Sequence, residues 1–248
     1  MMDYSPQQCK KNALAALRGN WQTALLVCFF SGALATLFDL AVDEIPFRLE
    51  TLSPSVLYST FLAAAHNVPA MLSYLIFVLS ILNLLFSPVL RLGANHYFVA
   101  RLEGTELWFR GLFSRISLWG KALWLSLYIT LKVFAWSLLF ILPGIWAAIR
   151  YSLAYYFLAE DPSLSAKEAV EKSKEALKGI EWHYVRLEFS LLGWTFLPFL
   201  LSVLLYDIHP IIALVIYQFS NLAISTYIQG VIAAFFLAVR PSPSGGIT

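Results

Sequence analysis

Long apolar segments alternate with short charged stretches along this chain, which is the pattern of a helical membrane protein. The stretch Met71–Leu90 contains no charged residue, and about 20 consecutive apolar residues are enough to cross a bilayer. The pattern recurs and predicts about six spans, the last of them long enough to tilt or protrude. Their bounds are about Trp21–Val42, Met71–Leu90, Ala122–Leu142, Pro143–Ala159, Leu187–Tyr206 and Ile211–Val239. The predicted fold class is therefore all-α, a polytopic helical membrane protein.

The boundary between the third and fourth spans falls at Leu142-Pro143-Gly144. Proline inside a helix removes a backbone hydrogen bond and clashes with the preceding turn, so a break is expected here. The fourth span is short and carries Arg150. Two alternatives are therefore open for residues 121–160: two full crossings, or a re-entrant hairpin whose ends return to the same side.

Basic residues are concentrated on one side of the predicted spans. Of the 17 Lys and Arg residues, Lys132 and Arg150 lie within spans, only Arg48 lies on the far side, and the rest lie on the side of both termini. Because loops rich in Lys and Arg stay in the cytoplasm, we expect both termini to be cytoplasmic. The largest far-side loop, Asp43–Ala70, is predicted to contain a helix that lies on the outer leaflet or caps the bundle.

Two stretches, Ser5–Gly19 and Ser165–Gly179, match one another without a gap. Each begins with Ser, has Gln8 or Glu168 three residues later, and ends in Ala-Leu, a basic residue and Gly. Ser followed by Gln or Glu at this spacing is a capping box, and the final Gly suits the left-handed end of a helix. We predict two amphipathic surface helices on the cytoplasmic side, resting on the membrane or on cytoplasmic loops.

The similarity continues into the spans that follow, where Trp21 corresponds to Trp182 and Asn83 to Asn221. This predicts a duplicated unit of one surface helix and two spans, in two pseudo-symmetric halves of a single membrane domain, residues 1–240. The predicted segments are repeat A at about residues 4–101, an inserted helical hairpin at about 121–160, repeat B at about 164–240, and a disordered tail rich in Pro, Ser and Gly at 241–248.

The paired spans two and six each carry four polar residues along one helical face. Their spacing of i, i+3, i+7 and i+11 keeps them on one side of a helix. Polar groups in hydrocarbon need partners, so both stripes are expected to face the bundle interior, as interhelical hydrogen bonds or as the lining of a hydrophilic pathway. The residues are Ser80, Asn83, Ser87 and Arg91 in span two, and Gln218, Asn221, Ser225 and Gln229 in span six.

Lys132 lies near the middle of the third predicted span. A lysine at the centre of a membrane helix costs roughly 2.5–3.5 kcal/mol on insertion scales, so its presence needs an explanation. Three are open: a ligand or ion site, a hydrogen-bonded structural lysine, or a span boundary drawn in the wrong place. Arg150 is the second charged candidate. These two residues make up the candidate intramembrane polar site together with six residues of the stripes: Asn83, Ser87, Gln218, Asn221, Ser225 and Gln229.

Composition supports the membrane class and narrows the chemistry. The 248 residues are 59% hydrophobic and 13% charged, whereas soluble domains carry about 25% charged residues. The net charge of +2 gives no argument for nucleic acid, because the basic residues flank the spans. The two cysteines and four scattered histidines have no metal-ligand spacing, and no nucleophile or phosphate-binding motif is found. We therefore predict a protein that is not an enzyme, with no catalytic residue, metal or cofactor.

A further pattern runs through the centre of the chain: a Pro-Gly break, a basic residue before Tyr-Ser, an acidic-Pro turn and an Ala-rich helix ending in Lys-Gly. Its residues are Leu142–Ile145, Arg150–Ser152, Leu158–Pro162 and Ser165–Gly179. The pattern resembles the bacterial integral membrane proteins grouped as domain of unknown function 975, and more distantly the membrane domain attached to some glycerophosphodiester phosphodiesterases. The resemblance implies a bacterial cytoplasmic membrane location and no established activity. We expect no phosphodiesterase domain in this chain, so that activity is not carried over.

Two hypotheses for the function follow. The first is a non-enzymatic membrane scaffold or accessory protein, which binds membrane lipids and docks a protein partner on its cytoplasmic amphipathic helices. The second is a small transporter or lipid-handling protein with a polar intramembrane site around Lys132. Neither involves nucleic acid.

Overall fold

The computed structural model describes residues 4–43, 70–206 and 209–241. Those residues are mainly helical and contain no β-strand, which confirms the predicted all-α class. The chain divides into two compact units, one formed by Met1–Phe29 with Pro88–Thr248 and the other by Phe30–Ser87. Most of the predicted outer loop, residues 44–69, and the predicted tail from residue 242 lie outside the described residues.

The described residues form nine α-helices, numbered here in chain order. They are α1 (Pro6–Leu17), α2 (Trp21–Asp43), α3 (Ala70–Leu102), α4 (Trp119–Leu139), α5 (Ile141–Tyr151), α6 (Ala154–Glu160), α7 (Ala166–Leu177), α8 (Glu181–Tyr206) and α9 (Pro210–Val239). Two short 3₁₀ turns, Phe109–Phe113 and Ile116–Leu118, lie between α3 and α4. The two predicted surface helices are α1 and α7.

Four described stretches are long and apolar enough to cross a membrane, and the start of α2 adds a shorter apolar stretch, Trp21–Gly32. The polytopic helical class is thereby confirmed, with four full-length candidates among the described residues where six spans were predicted. The four are Phe77–Leu102, Phe109–Leu139, Glu181–Leu205 and Val215–Val239.

The fourth predicted span, Pro143–Ala159, is wrong as a single helix. α4 ends at Leu139, Phe140 is extended, and the chain turns back as α5 and then α6, which have 11 and 7 residues. The break precedes the Pro-Gly pair because Pro143 cannot donate a hydrogen bond to the carbonyl of Leu139, although it fits the first turn of a new helix. The segment therefore forms a helical hairpin, α4–α5, and a separate short helix.

Gly144 allows the two arms of the α4–α5 hairpin to lie in close contact. A Cβ at this position would lie 2.0 Å from Ser137 Oγ and 3.0 Å from Ser137 Cα, so no larger residue fits without a shift. The Pro-Gly pair therefore has two effects. Pro143 starts the returning helix, and Gly144 packs it against α4.

The surface helices start as predicted, with one difference. Ser165 and Glu168 form a complete capping box, in which Ser165 N–H donates to Glu168 Oε2 at 2.8 Å. Ser5 Oγ accepts the N–H of Gln8 at 3.4 Å. The Gln8 amide nitrogen donates to Asn12 Oδ1 at 3.0 Å. The side chain three residues after the cap therefore makes a contact along α1 that Glu168 does not make along α7.

Both surface helices end at a left-handed glycine, with φ of 79° at Gly19 and 84° at Gly179. Residues with a Cβ rarely adopt this conformation without strain. In each case the residue after the glycine donates its backbone N–H to the leucine carbonyl two residues before the glycine, at 3.0 Å. The two ends are built alike, and the duplication itself stays a prediction.

The apolar faces of α1 and α7 pack inside the protein. α1 buries Ala13 and Leu17 and lies against α9, where a Cβ on Gly230 would meet Ala13 Cβ at 3.5 Å. α7 buries Val170 and Ser173 against the hairpin and α6. Because these faces are occupied by helices of the same chain, the charged faces are the ones left exposed.

The ends of α3 and α9 lie in the same core. Tyr97 and Phe98 near the end of α3, and Phe235 and Phe236 near the end of α9, are all buried. Earlier turns of both helices expose large apolar side chains instead. A helix of 30 residues is about 45 Å long, longer than the roughly 30 Å of a bilayer's hydrocarbon. The excess length of α9 lies in this helical core, formed by α1, α6, α7 and the ends of α3 and α9.

Candidate functional site

Lys132 lies on the α4 arm of the hairpin and is half-buried. Its ammonium sits over the ring of Tyr128, one turn earlier on α4, with 5.2 Å between Nζ and the ring centroid. Tyr151 on the α5 arm and Glu171 on α7 are close enough to interact electrostatically with it. Since α7 belongs to the helical core, Lys132 lies beside the core rather than at the far end of the hairpin.

Arg150 lies at the opposite end of α5 from the hairpin tip and forms an ion pair with Glu181, the first residue of α8. Its Nε and Nη2 donate to Glu181 Oε1 at 3.2 and 3.0 Å. Glu181 Oε2 accepts the backbone N–H of Gly179 at 2.8 Å. The Glu181 carboxylate is largely buried and Arg150 is partly exposed. Glu181 therefore joins the hairpin to the glycine turn that ends α7.

Ser173 of α7 fills the gap between α5 and α6. Its side chain is fully buried. The hydroxyl donates to the carbonyl oxygen of Arg150 at 2.7 Å and accepts the N–H of Leu153 at 3.2 Å. A helix break leaves backbone groups without partners, and a buried unpaired group is costly. One serine satisfies a donor and an acceptor at this break, which locks α7 onto the hairpin.

Glu171 and Lys174 on α7 complete the polar group. Lys174 Nζ donates to Glu171 Oε1 at 2.8 Å and lies 5.7 Å from the centroid of the Tyr151 ring. This bond from Lys174 lowers the pKa of Glu171, and the positive charges of Lys174 and Lys132 lower it further against a smaller opposing effect of burial. Glu171 is therefore held in its charged form.

These residues form one cluster where α7 crosses the hairpin, which we call the hairpin-base cluster. It contains three cations and two carboxylates, so it carries a net charge of about +1 near neutral pH. Both carboxylates are paired with the other cations, whereas Lys132 has no carboxylate within ion-pair distance among the described residues. The members are Tyr128, Lys132, Arg150, Tyr151, Glu171, Lys174 and Glu181.

The predicted polar stripe of α9 is only partly enclosed. Asn221 is exposed and Gln218 is half-buried. Ser225 donates its hydroxyl to the carbonyl oxygen of Leu222 in its own helix, at 3.0 Å. Gln229 Oε1 is buried without a hydrogen-bond partner among the described residues. The interhelical bonds predicted for this stripe are therefore not seen at Ser225.

The predicted stripe of α3 lies mostly in the other compact unit, Phe30–Ser87. Asn83 Oδ1 is buried without a partner among the described residues, and Ser87 is half-buried. Arg91 lies in the first unit, with its guanidinium 4.7 Å from the Tyr155 ring centroid. Lys132 therefore lies near Tyr151 and Arg150 pairs with Glu181, while the idea that the two stripes face each other stays a prediction.

A second polar feature lies at the end of α9. Arg240 is largely buried and pairs with Glu103 after α3 and with Glu160 at the end of α6. Clefts of about 670 and 410 Å³ flank it. The larger is lined by Gln8 and Arg101 among others. Arg240 therefore links the C-terminal ends of α3, α6 and α9 through ion pairs.

Sequence reasoning missed Ser173, Glu171, Glu181 and Arg240 as polar partners. Ser173 stands on the apolar face of α7, and that position is the signal that could have identified it. Glu181 directly follows the glycine turn, where a carboxylate can reach the freed N–H groups. The pairing of Arg240 depends on contacts far apart in sequence, which no local pattern encodes. Among the described residues, no group of three or more His, Cys, Asp or Glu side chains could hold a metal ion.

The fold and the cluster define an all-α polytopic helical protein with features of a membrane protein. Within that class, residues 131–242 match the family described as "Protein of unknown function (DUF975)". No curated protein and no solved structure gave a match. The matched part is a little under half of the 248 residues. It runs from the middle of α4 to the end of α9, and so includes every member of the hairpin-base cluster except Tyr128.

Proposed function

We propose that this chain is a non-enzymatic membrane scaffold or accessory protein of the DUF975 family, placed in the bacterial cytoplasmic membrane with both termini in the cytoplasm. The match over residues 131–242 supports the family. The distribution of Lys and Arg supports the orientation, because these residues concentrate on the side of the helical core. The distant similarity to the membrane domain of glycerophosphodiester phosphodiesterases is a likeness of membrane domains, and no phosphodiesterase activity is proposed.

One observation carries this proposal: α1 and α7 bury their apolar faces inside the chain and present their charged faces outward. Lys167 and Glu175 on α7, Lys178 at its C-terminal end and Lys11 on α1 are exposed. The helices that carry these charges are packed on the core through buried side chains. A charged surface on well-packed helices of a membrane anchor suits the docking of a soluble or membrane partner through complementary charge.

The test is proximity crosslinking in native membranes, comparing the wild-type chain with the variant Lys167→Glu/Lys178→Glu. Neither lysine has an ion-pair partner among the described residues, so the fold should tolerate the change. The matched control is Arg110→Glu, an exposed basic residue in a 3₁₀ turn. We expect one partner protein to be crosslinked at a fixed ratio to the wild type and to the control, and lost with the α7 variant. Equal crosslinking of all three chains would contradict docking on α7.

A lipid-handling or transport role is the second candidate, because Lys132 is a cation without a carboxylate partner among the described residues. This role requires water or ligand to reach the polar stripes. Single cysteines at Asn83 and Asn221 would test this in a chain whose own buried cysteines, Cys9 and Cys28, are replaced by alanine. If the protein is a scaffold, water does not reach either position and a water-soluble maleimide labels neither cysteine. Ser163→Cys, at an exposed position, is the control that should be labelled. Labelling of Asn83→Cys or Asn221→Cys would favour the transporter.

A further inference from the structure

We propose that the α4–α5 hairpin is a half-depth membrane element, whose apolar tip ends among the acyl chains of the leaflet next to the helical core. Its partner is lipid: acyl chains at the tip and phosphate headgroups at Lys132. This inference rests on the membrane location included in the proposed function. In this proposal residues 121–160 do not cross the membrane twice, and the hairpin enters only one leaflet.

Two contacts fix the base of α5 at the start of α8. The rings of Trp146 and Trp182 pack edge-on with 5.9 Å between their centroids. Arg150 pairs with Glu181 at 3.0 Å. Glu181 and Trp182 are the first two residues of the apolar stretch that is long enough to cross a membrane. Residues 146–150 of α5 therefore lie at the level where α8 enters the bilayer, and tryptophan is favoured at that interface.

The tip of the hairpin cannot lie far beyond this level. From Arg150 back to Ile141, α5 rises by about 14 Å, and any tilt shortens its reach into the membrane. The hydrocarbon of a bilayer is about 30 Å thick, and α8 with its 26 residues is about 39 Å long. α8 can cross completely, whereas the hairpin reaches no further than roughly the midplane.

The length of α4 does not contradict this depth. α4 has 21 residues, but Ala122 and Leu125 in its first two turns are fully buried in the helical core. Lys121 Nζ donates to the carbonyl oxygen of Pro162, in the turn between α6 and α7, at 2.6 Å. Only the later turns of α4 are left to accompany α5, and Gly144 packs the two arms together over that part.

The tip has the chemistry of a lipid contact. Its side chains are all apolar, and each is between 64% and 79% exposed. Water would make such an apolar surface costly, whereas acyl chains cover it without penalty. The five residues at the tip are Leu138, Leu139, Phe140, Ile141 and Leu142.

This depth also explains Lys132. From Lys132 to Leu139, α4 rises by about 10 Å, so a tip near the midplane places the ammonium close to the headgroup level. A lysine there avoids the cost of a charge at the centre of the bilayer. Because Lys132 has no carboxylate partner among the described residues and its cluster carries net positive charge, an anionic lipid phosphate is its complementary ligand.

Depth-dependent fluorescence quenching tests the proposal. An environment-sensitive dye is attached to Leu142→Cys, in the chain with Cys9→Ala and Cys28→Ala, reconstituted in phosphatidylglycerol and phosphatidylcholine vesicles. The lipids carry a nitroxide either near the headgroup or deep in the acyl chain. We expect the deep nitroxide to quench the dye at least about twofold more than the shallow one, because the two differ in depth by a large part of a leaflet. Ile141→Cys serves as a second tip variant.

Leu204→Cys, near the far end of α8, is the matched control for a full crossing. Its dye should be quenched more by the shallow nitroxide, and its free thiol should react with a membrane-impermeant maleimide from the side opposite the helical core. The same two results at Leu142→Cys would overturn the half-depth hairpin while leaving the membrane scaffold intact. An unquenched, water-labelled Leu142→Cys would overturn it as well. Failure of the Leu204→Cys control would instead reject the membrane placement on which both proposals rest.

Discussion

The hydroxyl of Ser173 and the carbonyl oxygen of Arg150 lie 2.7 Å apart, and this bond joins α7 to the end of α5. The same hydroxyl accepts the N–H of Leu153 at 3.2 Å. One short side chain therefore closes the break that allows the chain to leave the hairpin and enter the helical core. The position of the hairpin-base cluster depends on this closure.

Ser173→Ala should destabilise the protein by about 1–3 kcal/mol, because two buried backbone groups lose their shared partner. The thermal unfolding midpoint in detergent measures this effect. Ser190→Ala is the matched control, because the Ser190 hydroxyl bonds only to the Leu187 carbonyl of its own helix at an exposed position. Equal midpoints for the two variants would show that Ser173 does not hold the break together.

Most of the helical fold could be predicted from the sequence. Apolar runs such as Met71–Leu90 identified helices, and Ser165 with Glu168 identified the start of α7, because these signals are local. The end of α4 was placed three residues too late. The pattern showed Pro143, but the effect of proline falls on the carbonyl four residues earlier. A local sequence pattern predicts the end of a helix accurately only when it includes the carbonyl group that loses its hydrogen bond.

The candidate site was predicted less completely, for a different reason. Lys132 and Arg150 stood out because charges are rare in apolar segments. Each lies beside α7 in the structure, Lys132 near Glu171 and the Arg150 carbonyl at the Ser173 hydroxyl. The carboxylates of the hairpin-base cluster, Glu171 and Glu181, lie in ordinary charged stretches, where nothing distinguishes a paired carboxylate from a solvated one. Pairing depends on how α7 crosses the hairpin, and that crossing is a tertiary property.

Gly93→Ala should destabilise the protein by more than about 3 kcal/mol, because overpacking against rigid backbone is costly. A Cβ at Gly93 would lie 1.8 Å from the backbone carbonyl oxygen of Leu112, in the first 3₁₀ turn. Gly193→Ala in α8 is the control, since its Cβ would meet nothing within 4 Å. The control should match or slightly exceed wild-type stability, because alanine favours a helix. Chemical unfolding in detergent measures both, and a well-folded Gly93→Ala chain would refute the close packing of α3 on the turn.

The ion pair between Arg150 and Glu181 should show coupling in a double-mutant cycle. Arg150→Met leaves the largely buried Glu181 carboxylate with backbone N–H donors but no cation, and we expect a loss of about 1–3 kcal/mol. Glu181→Gln should cost less, because an amide oxygen still accepts from Gly179. The double variant should cost less than the two single changes together, by about 1 kcal/mol. Strict additivity of the unfolding free energies would mean that the pair contributes nothing.

The capping box of α7 should make stability depend on pH on the acid side. The backbone N–H and the hydroxyl of Ser165 donate to Glu168 and lower the pKa of its carboxyl group. A group whose pKa is lower in the folded state stabilises that state above its unfolded pKa, about 4.3 for Glu, and loses this contribution as pH falls through the folded value.

Glu168→Gln keeps a neutral partner for the Ser165 N–H and lacks the titration. The unfolding midpoint of the wild type should therefore exceed that of Glu168→Gln at pH about 7. The difference should shrink as the pH falls below the unfolded pKa of about 4.3 and be lost once it is below the lowered folded pKa. Asp161→Asn offers a parallel test, since bonds from Ser163 lower the pKa of Asp161 in the same direction. A wild type and a Glu168→Gln variant with parallel pH profiles would show that the box is not charged in the folded protein.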